Sequence, residues 1–134
     1  MKLSFARIVT HDVPTLTRFY QQLTGLTPHV FSELYVEFVG APTAGDDRIS
    51  GTLSISSQAM MDTHGARATT PQSNRSMVLD FQVDDVDHEH ARIRDFVKEI
   101  VLEPTNQPWG NRSVLFRDPD GNLINFFAPI QARK

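Results

Sequence analysis

The sequence contains no cysteine, which excludes a disulfide framework, a thiolate metal site and a cysteine nucleophile together. Long apolar runs are missing as well. No stretch approaches the roughly 20 residues that span a bilayer, and the N-terminus lacks the apolar core of a signal peptide, so no membrane partner is expected and cytoplasmic residence is the default. The basic residues are dispersed under a net charge of -3. Without the Lys/Arg stripe that phosphate neutralisation requires, no nucleic-acid partner is expected. What remains is ordinary globular composition, 40% apolar and 22% charged over 134 residues, enough for one domain or for two small modules sharing a core.

Turn chemistry and apolar pattern are densest between 108 and 127. Asp118-Pro119-Asp120-Gly121 is a tight turn: proline presets φ, an aspartate bonds its own main chain, and glycine accepts positive φ. Val114, Leu115 and Phe116 before it, and 123–127 after it, are β-formers bounded by Pro129, so a hairpin is expected, with Trp109 at its entrance and Asn125 interrupting an oily strand.

From the start of the chain, 2–10 suits a strand with Phe5, Arg7 and Val9 on one face. Asp12 reads as the N-cap of a helix in which Leu16, Phe19, Tyr20 and Leu23 recur at helical spacing until Gly25 stops it. Strands are expected at 26–31, 34–39 and 49–56; in the last, Ile49, Leu53 and Ile55 oppose Ser50, Thr52, Ser54 and Ser56. The polar segment 58–75 reads as a connector, with a helical turn near 59–61. Alternation resumes at 76–83, with Val78, Asp80 and Gln82 sharing a face. Asp85 caps a helix over 86–97 that carries Val86, His90, Ile93 and Val97 inward, and 101–105 is a short strand.

The order strand, helix, three strands therefore occurs twice. A slide of about 73 positions lays Asp12 on Asp85, Val13 on Val86, Phe5 on Val78 and Arg7 on Asp80. This sets module one at about 1–57, the connector at 58–75 and module two at about 76–130 of a single domain, 1–134. The expected fold class is α+β, with paired βαβββ modules forming a curled mixed sheet around a concave cavity and helices outside. That concavity is the natural place for a ligand.

The opening over 5–20, the Val83-Asp84-Asp85-Val86 junction and above all Arg117-Asp118-Pro119-Asp120-Gly121-Asn122 make the chain resemble the vicinal oxygen chelate superfamily. Glyoxalase I, extradiol dioxygenases, and fosfomycin and bleomycin resistance proteins belong to it. Pro108-Trp109-Gly110 followed by that turn is most similar to the bleomycin-resistance branch. The resemblance implies a homodimer. It also implies metal-ligand positions on the first strand of each module, on an inner strand and on the last strand, which map to Phe5, Val78, a position near Ser54 or Ser56, and Asn125. Phenylalanine and valine have no lone pair for a metal, so no metal and no cofactor are expected. Nor do the histidines supply a substitute: His88 and His90 point apart on a helix, and His11, His29 and His64 lie at turns or in the connector.

Strand alternation places Phe5, Arg7, Tyr35, Glu37, Ser54 and Ser56 on the concave face of module one. From module two it places Val78, Asp80, Arg112, Asn125 and Phe127 there, with Trp109 at the rim. Trp109 either stacks on a ligand or plugs the hairpin shoulder. Arg7 meets an acidic ligand group or forms an internal pair with Glu37 or Asp80. Asp80 or Glu37, if desolvated, would serve as a general base. The reading that follows is a small-molecule-binding protein without a metal, its ligand aromatic or cationic, with specificity set by the loop tips at 40–47 and 63–75. The alternatives are a metal-dependent lyase or dioxygenase of the glyoxalase type, a cofactor-free isomerase using Asp80 or Glu37, and an interaction module with no small ligand.

Overall fold

The structure, a computed structural model, describes residues 1, 3–40, 53–65 and 67–130. The expected strand positions Ile49, Ser50 and Thr52 and the loop residues 41–47 lie outside them. The chain divides into two units, Met1–Ser73 and Asn74–Lys134.

The first unit runs β1 (Ala6–Thr10), α1 (Val13–Thr24), β2 (His29–Ser32), β3 (Tyr35–Phe38), β4 (Leu53–Ser57) and α2 (Gln58–Asp62). Asp12, two residues past β1, caps the helix, its Oδ1 accepting from Thr15 N at 3.1 Å. Gly25, at φ 71°, closes the helix with the left-handed cap that only glycine adopts without strain. Pro28 has no N–H to give a ladder, and β2 begins just after it. The strands are ordered β1-β4-β3-β2, with β1 parallel to β4 and the rest antiparallel. Leu53, Ile55, Val36 and Phe38 are buried on one face, and α1, packing on β3 and β4, buries Leu16, Phe19, Tyr20 and Leu23. The opposite face carries Arg7, Ser54, Glu37 and His29 in one cross-strand row and Val9, Ser56 and Tyr35 in the next.

The second unit repeats the plan: β5 (Val78–Gln82), α3 (Val86–Ile93), β6 (Ile100–Asn106), β7 (Asn111–Arg117) and β8 (Leu123–Pro129), ordered β5-β8-β7-β6 with β5 parallel to β8. Asp85 caps α3 by accepting from His88 N, as Asp12 caps α1. The helix is shorter than its apolar spacing suggests: it ends at Ile93, and strand pairing is under way by Glu99, whose O accepts from Arg117 N at 3.1 Å. The chain leaves α3 through turns on the Ile93 carbonyl, and Val97 stays buried. Pro104, lacking an N–H, is accommodated because β6 is an edge strand with shifted register on either side of Leu102. Val114, Phe116, Ile124 and Phe126 form the core under α3, with Phe116 and Phe126 edge to face at 5.0 Å.

The α+β class, the repeated βαβββ order and the mixed sheets are thus as expected. The hairpin turn is too: Gly121 N donates to Asp118 O at 2.9 Å, with Gly121 at φ 87°. Among the described residues no helix is long and apolar enough to cross a membrane.

Candidate functional site

In the first unit, the face opposite α1 collects most of the expected residues. Arg7 of β1 is in register with Ser54 of β4, and Ser54 with Glu37 of β3, so the serine lies between a cation and a carboxylate. Glu37 is held by its neighbour two residues along the strand: Tyr35 Oη donates to Glu37 Oε2 at 2.6 Å. Burial, and after it this bond, push the Tyr35 phenol above its ordinary range, with Ser54 and Arg7 acting the other way. Ser54 Oγ is near enough to influence Tyr35, yet the geometry is not that of a hydrogen bond. The serine is fully buried, and its hydroxyl has no partner among the described residues. Its neighbour on the same face, Ser56, is satisfied by Ser57 O.

No ion pair joins Arg7 to Glu37. The guanidinium instead lies 5.3 Å from the centre of the Tyr35 ring, a cation–π distance, and Nη1 meets Met61 Sδ of α2 at 3.3 Å. Phe31 extends the aromatic surface, 5.8 Å from Tyr35 and 6.2 Å from His29. Met61, Phe31 and His29 were missed in the sequence. Nothing there marks Met61, but His29 and Phe31 are two apart on a strand before a tight turn, and period two was signal enough to align them with Tyr35. Phe5 precedes β1 and is 37% exposed.

The second unit presents Val78, Asp80 and Gln82 of β5, Asn125 and Phe127 of β8 and Leu115 of β7 on the face opposite α3. Asn125 Nδ2 donates to Asp80 Oδ1 at 2.9 Å. A carboxylate accepts only, which fixes the amide's orientation and leaves Asn125 Oδ1 buried without a partner among the described residues. Asp80 itself is exposed, and Val78 is 43% exposed. The desolvation on which a general-base role for Asp80 depended is therefore not there. Trp109 sits in the β6–β7 turn at 71% exposure and plugs nothing in its own unit.

Arg112 corrects the expectation outright. Alternation along β7 puts it with Val114 and Phe116 on the α3 side, opposite Asn125 and Phe127. Its guanidinium forks onto Asp87 of α3, with Nε to Oδ2 and Nη2 to Oδ1 both at 2.8 Å, and Nη1 reaches Asn106. The bond from Arg112 holds the Asp87 carboxyl below its ordinary range, and Arg112 is raised in turn. His90, expected to turn inward, is half-buried on the same side with Nε2 2.9 Å from Glu103 Oε2.

At the positions mapped from the metal-dependent relatives, the side chains are thus a benzyl ring, an isopropyl group, a buried hydroxyl and an amide already bonded to Asp80. Among the described residues no three His, Cys, Asp or Glu converge on one point. This donor set does not fit a divalent ion.

The family model for the Glyoxalase/Bleomycin resistance protein/Dioxygenase superfamily matches residues 2–126. Solved structures share the fold. A glyoxalase/bleomycin resistance protein/dioxygenase from Nocardioides is 21% identical with a TM-score of 0.78, over 100% of this chain and 87% of that one. A family enzyme from Burkholderia phytofirmans PsJN is 18% identical with a TM-score of 0.78, over 97% and 100%. A glyoxalase-related enzyme from Fulvimarina pelagi is 17% identical with a TM-score of 0.77, over 98% and 94%. No curated protein matches the sequence.

Proposed function

Because the chain belongs to the glyoxalase/bleomycin resistance protein/dioxygenase superfamily, we propose that it binds a small organic molecule on a sheet face opposite the helix of one unit, without a resident metal. The observation that carries this reading is a matched pair of unpartnered oxygens. Ser54 Oγ and Asn125 Oδ1 are each buried on the last strand of their unit, in register with Arg7 and Asp80, respectively, of its first strand. A buried oxygen with no protein partner costs about 1–3 kcal/mol, which a bond from a ligand or an ordered water recovers. In each unit such an oxygen stands beside apolar or aromatic side chains on the same face, Tyr35 in the first and Phe127 and Leu115 in the second, which suits a ligand of mixed polarity.

A metal-free site is supported by the donor chemistry at Phe5, Val78, Ser54 and Asn125. Its test is calorimetric titration of zinc, nickel, manganese and iron(II) into chelator-treated protein. No stoichiometric binding is expected; tight one-to-one binding of any of them overturns this reading in favour of a lyase or dioxygenase of the glyoxalase type. Ligand binding is tested by NMR screening of a fragment library, with backbone shifts expected at Ser54 or Asn125.

One observation favours a second reading, a cofactor-free proton-transfer enzyme: the short bond between Tyr35 and Glu37, 2.6 Å, sets a proton donor beside an acceptor. Glu37 is the base in this reading. Solvent deuterium incorporation into a bound carbonyl compound, abolished in Glu37→Gln, is its signature.

A homodimer and cytoplasmic residence complete the proposal. The dimer draws support from β2, an edge strand whose Val30 is exposed, as is Leu34 in the following turn, a surface that a second copy would cover.

A further inference from the structure

We propose that the molecule held on the first sheet is an aromatic monocarboxylic acid whose carboxylate sits on Arg7. This rests on the ligand-binding reading above and gives that ligand a chemical class.

A guanidinium is always charged, and its planar fork matches a carboxylate with two parallel bonds. Arg7 has that fork free of acid. Its side chain is exposed, its Cζ lies 5.3 Å over the Tyr35 ring, and its polar contact is a thioether sulfur at 3.3 Å, a weak acceptor for a full positive charge. The nearest carboxylate by register, Glu37, is occupied by the Tyr35 hydroxyl at 2.6 Å and makes no ion pair with Arg7. Among the described residues no carboxylate takes the fork, which leaves it open to an anion from outside the chain.

Ser54 points to the same group. It is in register with Arg7, and its hydroxyl, buried beneath that row beside Tyr35 and unbonded among the described residues, is a neutral donor that adds no negative charge against an acid on the guanidinium.

Glu37 then limits the charge. It lies across Ser54 from Arg7, and a second negative charge on the ligand would face it. One acid group is accepted and a dianion is disfavoured. The ring follows from Tyr35, which touches both the guanidinium at 5.3 Å and Phe31 at 5.8 Å. Phe31 is 64% exposed, so the aromatic surface continues outward from the acid's seat and offers a stacking partner to a ring attached to that acid.

The test uses the full chain and four probes of one shape: phenylacetate, its neutral amide, phenethylammonium and phenyl phosphate, followed by calorimetry and by backbone NMR shifts. Phenylacetate is expected to shift residues of the first sheet and to bind at least about tenfold tighter than the amide, the size of one charge-assisted bond. Phenethylammonium is expected to bind no better than the amide. In Arg7→Gln the preference for acid over amide disappears, and Arg7→Lys keeps part of it, because charge remains and the fork does not. Glu37→Gln is expected to strengthen phenyl phosphate more than phenylacetate, with circular dichroism confirming that each variant is folded. Equal or tighter binding of the amide or the ammonium overturns the inference, as does an acid preference that survives Arg7→Gln. An unchanged phosphate-to-carboxylate ratio in Glu37→Gln overturns its monoacid part. Shifts confined to the second sheet overturn the inference while leaving small-molecule binding intact, whereas no binding by any probe overturns both.

Discussion

Asp118 closes its turn with both carboxylate oxygens. Oδ1 accepts from Asp120 N and Asn122 N, each at 2.9 Å, and Oδ2 accepts from Asn122 Nδ2 at 2.8 Å, all in a largely buried setting. Asp118→Ala leaves these donors unmatched and is expected to destabilise the protein by about 2–3 kcal/mol in urea unfolding, with Asp118→Asn costing less because one oxygen remains. Gly121 has room for a Cβ, but at φ 87° Gly121→Ala is strained by the backbone and is expected to cost about 1 kcal/mol. Tyr35 carries the pH signature of the first sheet. Its phenol is raised, so its share of stability is full below the ordinary phenol range and is lost as pH rises through the raised value. Spectrophotometric titration is expected to show Tyr35 ionising later than a free phenol, and earlier in Glu37→Gln than in the wild type.

At the scale of elements, Asp87 and Arg112 tie α3 to β7. The folded carboxyl of Asp87 is lowered, so the stability this tie contributes is present above the ordinary aspartate range and is lost as pH falls through and below it. In Asp87→Asn, stability is expected to change less with pH across that acidic window, and salt is expected to shrink the difference between variant and wild type because the pair is exposed. β8 occupies a central place in its sheet. Phe126→Ala there is expected to cost about 3–5 kcal/mol, whereas Val101→Ala, exposed on the edge strand β6, is expected to change stability by less than about 0.5 kcal/mol. The elements themselves were largely legible in the sequence. Asp12 and Asp85, Gly25 and the Asp118–Gly121 turn are governed by contacts within a few residues, so their chemistry shows without the fold. Boundaries drifted where long-range pairing takes over, as past the end of α3, where strand pairing is under way by Glu99.

For the whole molecule, the donor chemistry leads to an expected absence of response. Chelator treatment should leave the melting temperature unchanged by calorimetry, and a drop restored by one added metal would contradict the metal-free reading. The homodimer is checked by sedimentation equilibrium, with Val30→Lys on the exposed edge β2 expected to weaken association.

By itself the sequence determined the duplicated strand-helix-strand order, both helix caps and the hairpin turn, since each follows from local backbone preference and short-range hydrogen bonding. It also determined that Phe5 and Val78, which have no lone pair, stand at two of the positions mapped for metal ligands. The tertiary structure alone decided which way Arg112 faces, because Val114, Leu115 and Phe116 are a continuous apolar run that carries no parity until one face is laid against α3. It also decided that Arg7 stacks on Tyr35 and not against Glu37, and that Asp80 is open to solvent. A charge's partner and its exposure depend on neighbours far away in the chain, and those neighbours come together only when the strands pair.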